Sequence, residues 1–155
     1  MKKKDWIRLA IFVIIIEAIG FLSSTLSGNI SAEYRMLIKP PFSPPGIVFS
    51  IVWPILYILL GAAASLIYRG KPERNMRAFV WFMIQLVLNF SWSIIFFRFH
   101  AYWAALIILI LMDIITAYMF SLFKKVNKCA SLLLIPYFIW ILFATYLNLG
   151  IILLN

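Results

Sequence analysis

Apolar residues come in five runs along the chain, broken by short polar or basic stretches. The runs cover roughly Trp6–Leu26, Ile47–Tyr68, Arg77–Phe97, Tyr102–Phe123 and Ala130–Leu154. Each is long enough for a helix to cross a bilayer, which takes about 20 residues. None shows the short alternating pattern of a β-barrel strand. The first run is too long for the apolar part of a signal peptide, and no small-residue cleavage site follows it. The pattern predicts an all-α integral membrane protein: one domain over residues 1–155, folded as a five-transmembrane-helix bundle. Composition agrees, with 65% hydrophobic and 12% charged residues and a mean hydropathy of +1.03. A soluble domain is nearer half apolar and a quarter charged.

The net charge of +9 is unevenly placed. Lys2, Lys3, Lys4 and Arg8 flank the first span, Arg69, Lys71, Arg74 and Arg77 the second connection, and Lys124, Lys125 and Lys128 the fourth. Only Arg35, Lys39 and Arg98 fall on the opposite side. This is the positive-inside pattern. It predicts a cytoplasmic N-terminus, a C-terminus outside, and basic residues that set topology rather than bind nucleic acid.

One connection is long. Between Ser27 and Gly46 the chain includes IKPPFSPPG (Ile38–Gly46), with four prolines. Proline fixes φ and lacks an N–H, so this stretch is neither helix nor central strand. Its stiffness, with Tyr34, Met36, Leu37, Ile38 and Phe42 embedded nearby, predicts an ordered external lid. Pro44 or Pro45 also suits the first turn of the second span.

A lid implies something beneath it. Spacings of three and four residues bring side chains onto one helical face, and polar groups within the membrane turn away from lipid. Glu17, Gly20, Phe21 and Ser24 share such a stripe in the first span, and Trp53, Tyr57 and Gly61 in the second. Trp81, Gln85, Asn89 and Trp92 do so in the third, and Pro136, Trp140, Ala144 and Asn148 in the fifth. Aromatic and amide groups thus concentrate in the half facing the lid, as a largely apolar pocket with a few orienting polar groups requires. Trp53, Asn89 and Trp140 read as lining. Glu17, Gln85 and Asp113, nearer the bilayer centre, read as interhelical glue. Trp6, Trp81 and Trp103 suit the membrane interface, and Gly61–Ser65 permits close helix approach within the bundle or between subunits.

The single histidine, His100, and single cysteine, Cys129, stand apart. The sequence therefore supplies no metal-ligand cluster and no Ser-His-acid or Cys-His set. It has no phosphate-binding glycine loop, and His100 is poorly placed to ligate a haem iron. No internal repeat or broken helix pair favours a secondary transporter.

KPPFSPPG (Lys39–Gly46), FSIVWPILY (Phe49–Tyr57), LNFSWSIIFF (Leu88–Phe97) and YFIWILFATYLN (Tyr137–Asn148) follow in order across the chain. Together they resemble the translocator protein/tryptophan-rich sensory protein family (TspO/MBR, once called the peripheral-type benzodiazepine receptor), in a bacterial form. The resemblance implies a receptor, commonly dimeric, for porphyrins and for the isoquinoline carboxamide PK11195. It implies a site lined by Trp53, Asn89 and Trp140, with Tyr34 and Pro44 from the loop and Ser24 from the first helix. Tyr57, Trp92, Ala144 and Asn148 join these from the stripes. It also implies light- and oxygen-dependent breakdown of protoporphyrin IX with Trp53 and Trp140 as the catalytic indoles, and no cofactor beyond the porphyrin itself. Sterol-binding members carry Leu/Val, Tyr and Lys/Arg in the last helix. Here no basic residue follows Tyr146, which makes cholesterol a doubtful ligand. Two other readings stay open: a ligand-responsive regulatory or assembly protein, and a transporter of porphyrin or another amphipath.

Overall fold

The computed structural model describes residues 3–68 and 72–155. In chain order the helices are α1 (Lys3–Leu26), α2 (Ile30–Met36), α3 (Gly46–Tyr68), α4 (Pro72–Ser93), α5 (Tyr102–Val126) and α6 (Lys128–Leu154). All but α2 belong to helical stretches of 23 to 27 residues with mean hydropathy from 1.8 to 2.4. Such helices satisfy their backbone groups internally, as hydrocarbon requires. The protein is an integral membrane bundle of five spans.

Helix ends differ from the hydropathy boundaries where local chemistry extends them. α4 begins at Pro72 rather than Arg77, because a proline fits the first turn without losing a bond. α5 and α6 are separated by Asn127 alone, whose side chain accepts from the Ala130 N–H at 3.1 Å and caps α6. Lys2, Arg69 and Lys71 lie outside the described residues.

The spans form a ring in the order α1, α3, α6, α5, α4, with extensive packing between successive members and only sparse contact between α4 and α1 or α3. Close approach of α1 and α3 rests on Gly61: a Cβ there would lie 2.7 Å from the Val13 Cα. The small-residue face at Gly61 is therefore used inside the protomer. Across the ring, α5 and α6 bury Leu109, Met112, Met119, Leu134 and Ile141 completely or nearly so. At the basic end of the ring, Phe82 and Phe123 pack ring against ring.

At its far end α4 runs into a π turn, Ile94–Arg98, in which the Phe99 N–H reaches back to the Ile94 carbonyl at 3.2 Å. A π turn inserts one residue into the helical register. Here it gathers Trp92, Phe96, Phe97 and Tyr102 into one aromatic cluster.

Within the ordered lid that the sequence predicts from Ser27 to Gly46, residues Ile30–Met36 form α2, capped by the Asn29 side chain on the Ala32 N–H. Gly28 precedes it with φ +85°, a left-handed conformation natural to glycine. The proline segment then crosses to α6. Pro40 packs so closely on Gly150 that a Cβ there would lie 2.5 Å from the proline ring. Tyr146 donates to the Pro41 carbonyl at 2.9 Å. Asn155 grips Ile38 at both backbone groups, accepting from its N–H at 3.0 Å and donating to its carbonyl at 2.9 Å.

Candidate functional site

The weak seam of the ring, between α1, α3 and α4, opens into a cavity of about 580 Å³ with α2 across its mouth. Its walls follow from helical spacing. On α3, Phe49, Ser50, Trp53, Pro54 and Tyr57 face it one turn apart, and on α4 so do Asn89, Trp92 and Ser93. Trp53 stands between Tyr57 and Trp92, with ring centroids 5.5 and 6.1 Å away, and these three rings make one aromatic wall. Pro54 has no N–H, so the Ser50 carbonyl one turn earlier loses its helical donor. The Trp-Pro pair therefore removes one helical donor beside the indole.

The deep end is polar and ordered. Tyr57 donates to Asn89 Oδ1 at 2.9 Å, and Asn89 Nδ2 donates to the Tyr137 hydroxyl at 3.0 Å. Gln85 Nε2 donates to the same hydroxyl at 2.8 Å. The chain of bonds joins α3, α4 and α6 behind the cavity. Glu17 lines the cavity from α1, and its Oε1 is buried with no hydrogen-bond partner. Gly20, one turn beyond Glu17, leaves room for Tyr57: a Cβ on it would lie 2.1 Å from the ring.

Near the lid, three serines tie α1 to α4. Ser23 donates to the Phe90 carbonyl at 2.6 Å, and Ser23 and Ser27 both meet Ser93, at 2.7 and 2.9 Å. Above them Tyr34, only 6% exposed, donates to the Pro44 carbonyl at 2.9 Å. Burial raises the Tyr34 phenol above its ordinary value, opposed by the Ser43 hydroxyl, so it stays a neutral donor. Lys39 lies over the Tyr34 ring, 5.0 Å from its centroid. Glu33 and His100 are 2.9 Å apart and join α2 to the turn before α5.

A scan against family models matches residues 12–154 to the TspO/MBR family. A tryptophan-rich protein TspO from Chlorobaculum tepidum is 40% identical over 98% of each chain. The protein of the same name from Archaeoglobus fulgidus is 36% identical over 96% of this chain and 97% of its own. The chain belongs to the TspO/MBR family. The likeness reaches animals, since a translocator protein from Ovis aries is 29% identical over 92% of this chain and 87% of its own.

With the family in hand, the candidate residues divide by position. Ser24, Tyr34, Trp53, Tyr57, Asn89 and Trp92 all line the cavity. Pro44, Trp140, Ala144 and Asn148 are not among its lining residues. The Pro44 carbonyl holds Tyr34 in place. Asn148 lies behind Trp92, accepting from its Nε1 at a long 3.5 Å while donating to the Tyr102 carbonyl at 3.0 Å. Ala144 is buried on the same inner face. Trp140 meets Phe49 edge to face at 5.7 Å, so a cavity-lining ring stands beside it. The physical reason is the rotation of α6. Tyr137, Ile141, Ala144 and Asn148 form its buried stripe, which leaves Pro136 exposed and Trp140 half-buried.

Several lining residues escaped the sequence reading. Phe49 and Ser50 lie one helical turn before Trp53, a spacing that points to them once Trp53 is placed. Ser23, Ser93 and Phe97 depend on how α1 meets the π turn, which no local pattern encodes. Glu17, read as glue, lines the cavity instead. Asp113 does bridge helices, accepting from Thr145 of α6 at 2.8 Å.

Proposed function

We propose that this TspO/MBR protein binds a porphyrin, protoporphyrin IX or a near relative, in the cavity between α1, α3 and α4. The observation that carries the reading is the wall formed by Trp53, Tyr57 and Trp92. A planar aromatic ligand gains dispersion and stacking energy on such a wall. The volume suits a small-molecule site, which typically occupies roughly 300–1,000 Å³. Polar groups stand at both ends, Asn89 and Glu17 in the depth and Ser24 and Asn29 near the mouth, and they orient a ligand with a polar rim. The protein resides in the cell membrane with its N-terminus in the cytoplasm, by the distribution of its basic residues. A homodimer has to use a face other than the one at Gly61.

The spacing of the indoles supports a second step. Trp53 and Trp92 stand 6.1 Å apart on the cavity wall. In this reading, light excites the bound porphyrin, oxygen serves as the oxidant, and the site holds the macrocycle against the indoles while excluding water. Trp53 is the indole on the cavity wall, and Trp140 stands behind it against the Phe49 ring.

The test uses purified protein and protoporphyrin IX, titrated in darkness and then illuminated in air. Saturable binding is expected in the dark, weakened about three- to tenfold by Trp53→Ala through loss of ring contact. Light-driven loss of the porphyrin absorption bands faster than for free porphyrin is expected in wild type and not in Trp53→Phe. Non-saturable partitioning defeats the binding reading. Saturable binding with bleaching at the free-porphyrin rate leaves binding and removes the photochemistry.

A further inference from the structure

On the half of the bundle toward its basic end, α5 and α6 line a second hollow of about 310 Å³, formed by Thr116, Ala117, Phe120, Leu134, Ile135 and Phe138. It shares no lining residue with the first cavity. We propose that this groove seats one acyl chain of an anionic phospholipid whose phosphate is held by Lys124, Lys125 and Lys128.

Register carries the first part of the argument. Thr116, Phe120 and Lys124 follow at four-residue intervals on α5, and Lys128 and Ile135 lie seven apart on α6. Both spacings keep residues on one helical face. Lys124 and Lys128 therefore continue, toward the basic end, the stripes that line the groove. Eight residues separate Thr116 from Lys124, a rise of roughly 12 Å, close to the ~15 Å hydrocarbon depth of one leaflet. A lipid with its phosphate level with Lys124 thus lays most of one chain along the groove. Lysine stems pack along apolar surface while their charges reach the headgroups.

Charge decides which lipid. Lys124, Lys125 and Lys128 are all exposed, and no acidic residue occurs anywhere after Asp113. Three cations gathered around a one-residue turn, with the nearest carboxylate in α5 or α6 about three helical turns away at Asp113, attract an anionic headgroup over a zwitterionic one. The same charges argue against a second copy of the chain as occupant. A two-fold contact places a surface against its own image and would set the lysines of one copy against those of the other.

The test is native mass spectrometry of the full chain, released from detergent with equal amounts of dioleoyl phosphatidylglycerol and dioleoyl phosphatidylcholine. The wild-type chain is expected to retain one phosphatidylglycerol in preference to phosphatidylcholine by about tenfold or more. The triple variant Lys124→Gln/Lys125→Gln/Lys128→Gln, altered only on the surface, is expected to lose that preference. Ala117→Trp, which fills the groove from an exposed position, is expected to lose retention of both lipids. Equal retention of the two lipids by wild type overturns the proposal, as does a triple variant that keeps the preference. Loss of a dimer in Ala117→Trp with lipid retention unchanged also overturns it, and makes the groove an interface between copies.

Discussion

Replacing Gly20 by alanine tests how the cavity is built. The added Cβ would lie 2.1, 2.6 and 2.8 Å from three atoms of the Tyr57 ring. Carbon atoms settle at about 3.5–4.0 Å, so either the ring or α1 has to yield by more than an ångström. The ring is not free to yield, because its hydroxyl donates to Asn89 at 2.9 Å and Asn89 in turn donates to Tyr137. Overpacking of this kind destabilises by about 1–3 kcal/mol, and a lost buried hydrogen bond adds roughly 1 kcal/mol. A total loss near 2–4 kcal/mol is expected, with Tyr57 pushed across the cavity wall. Thermal unfolding in detergent reads the stability, and a dark protoporphyrin IX titration reads the site. Gly20→Ala should melt lower and bind at least about tenfold more weakly, since 1.4 kcal/mol is a factor of ten. Combining it with Tyr57→Leu should recover the overpacking part of the loss, because the clash vanishes, but not the part owed to the bond with Asn89. A Gly20→Ala protein that melts and binds as wild type refutes this account of the α1–α3 seam.

Two other outcomes follow from single contacts. Gly61→Leu should destabilise the bundle by more than Gly20→Ala, because the added side chain meets the Val13 backbone, 2.7 Å from the Cβ position, rather than a ring; thermal unfolding checks it. Asn155→Ala removes both bonds to Ile38, a change of about 1–3 kcal/mol, and hydrogen exchange at the Ile38 amide should accelerate while amides in the middle of α5 stay protected.

Which parts of this molecule were legible beforehand follows from the physics that sets them. The five spans could be read because a membrane demands about 20 apolar residues of helix regardless of what those residues touch. The proline segment could be read because its backbone restrictions are local. α2 could not: seven residues are too short for periodicity to register, and Tyr34 is held by tertiary partners, a carbonyl ten residues on and the Phe49 ring of α3. Of the stripes on α3 and α4, Trp53, Tyr57, Asn89 and Trp92 line the cavity. The α6 stripe matched the buried face at Ala144 and Asn148 but left it in the first half, where Tyr137 and Ile141 turn inward in place of Pro136 and Trp140. Hydrophobic patterning gives little help on α6, since apolar residues face lipid and core alike. Glu17 illustrates the same limit, because a carboxyl within the membrane suits a cavity wall as well as a helix contact.

The central claim is that porphyrin binds between α1, α3 and α4, and a pair of tryptophan substitutions tests it most directly. Ser50→Trp fills the cavity from the α3 wall, whereas Ile139→Trp adds the same bulk on an outward face of α6 where the native side chain is 61% exposed. Protoporphyrin IX binding is followed by porphyrin absorbance in the dark. The account predicts that Ser50→Trp loses at least about tenfold in affinity while Ile139→Trp binds as wild type, a difference of about 1.4 kcal/mol. Equal affinity in all three proteins, or an equal loss in both variants, would contradict it.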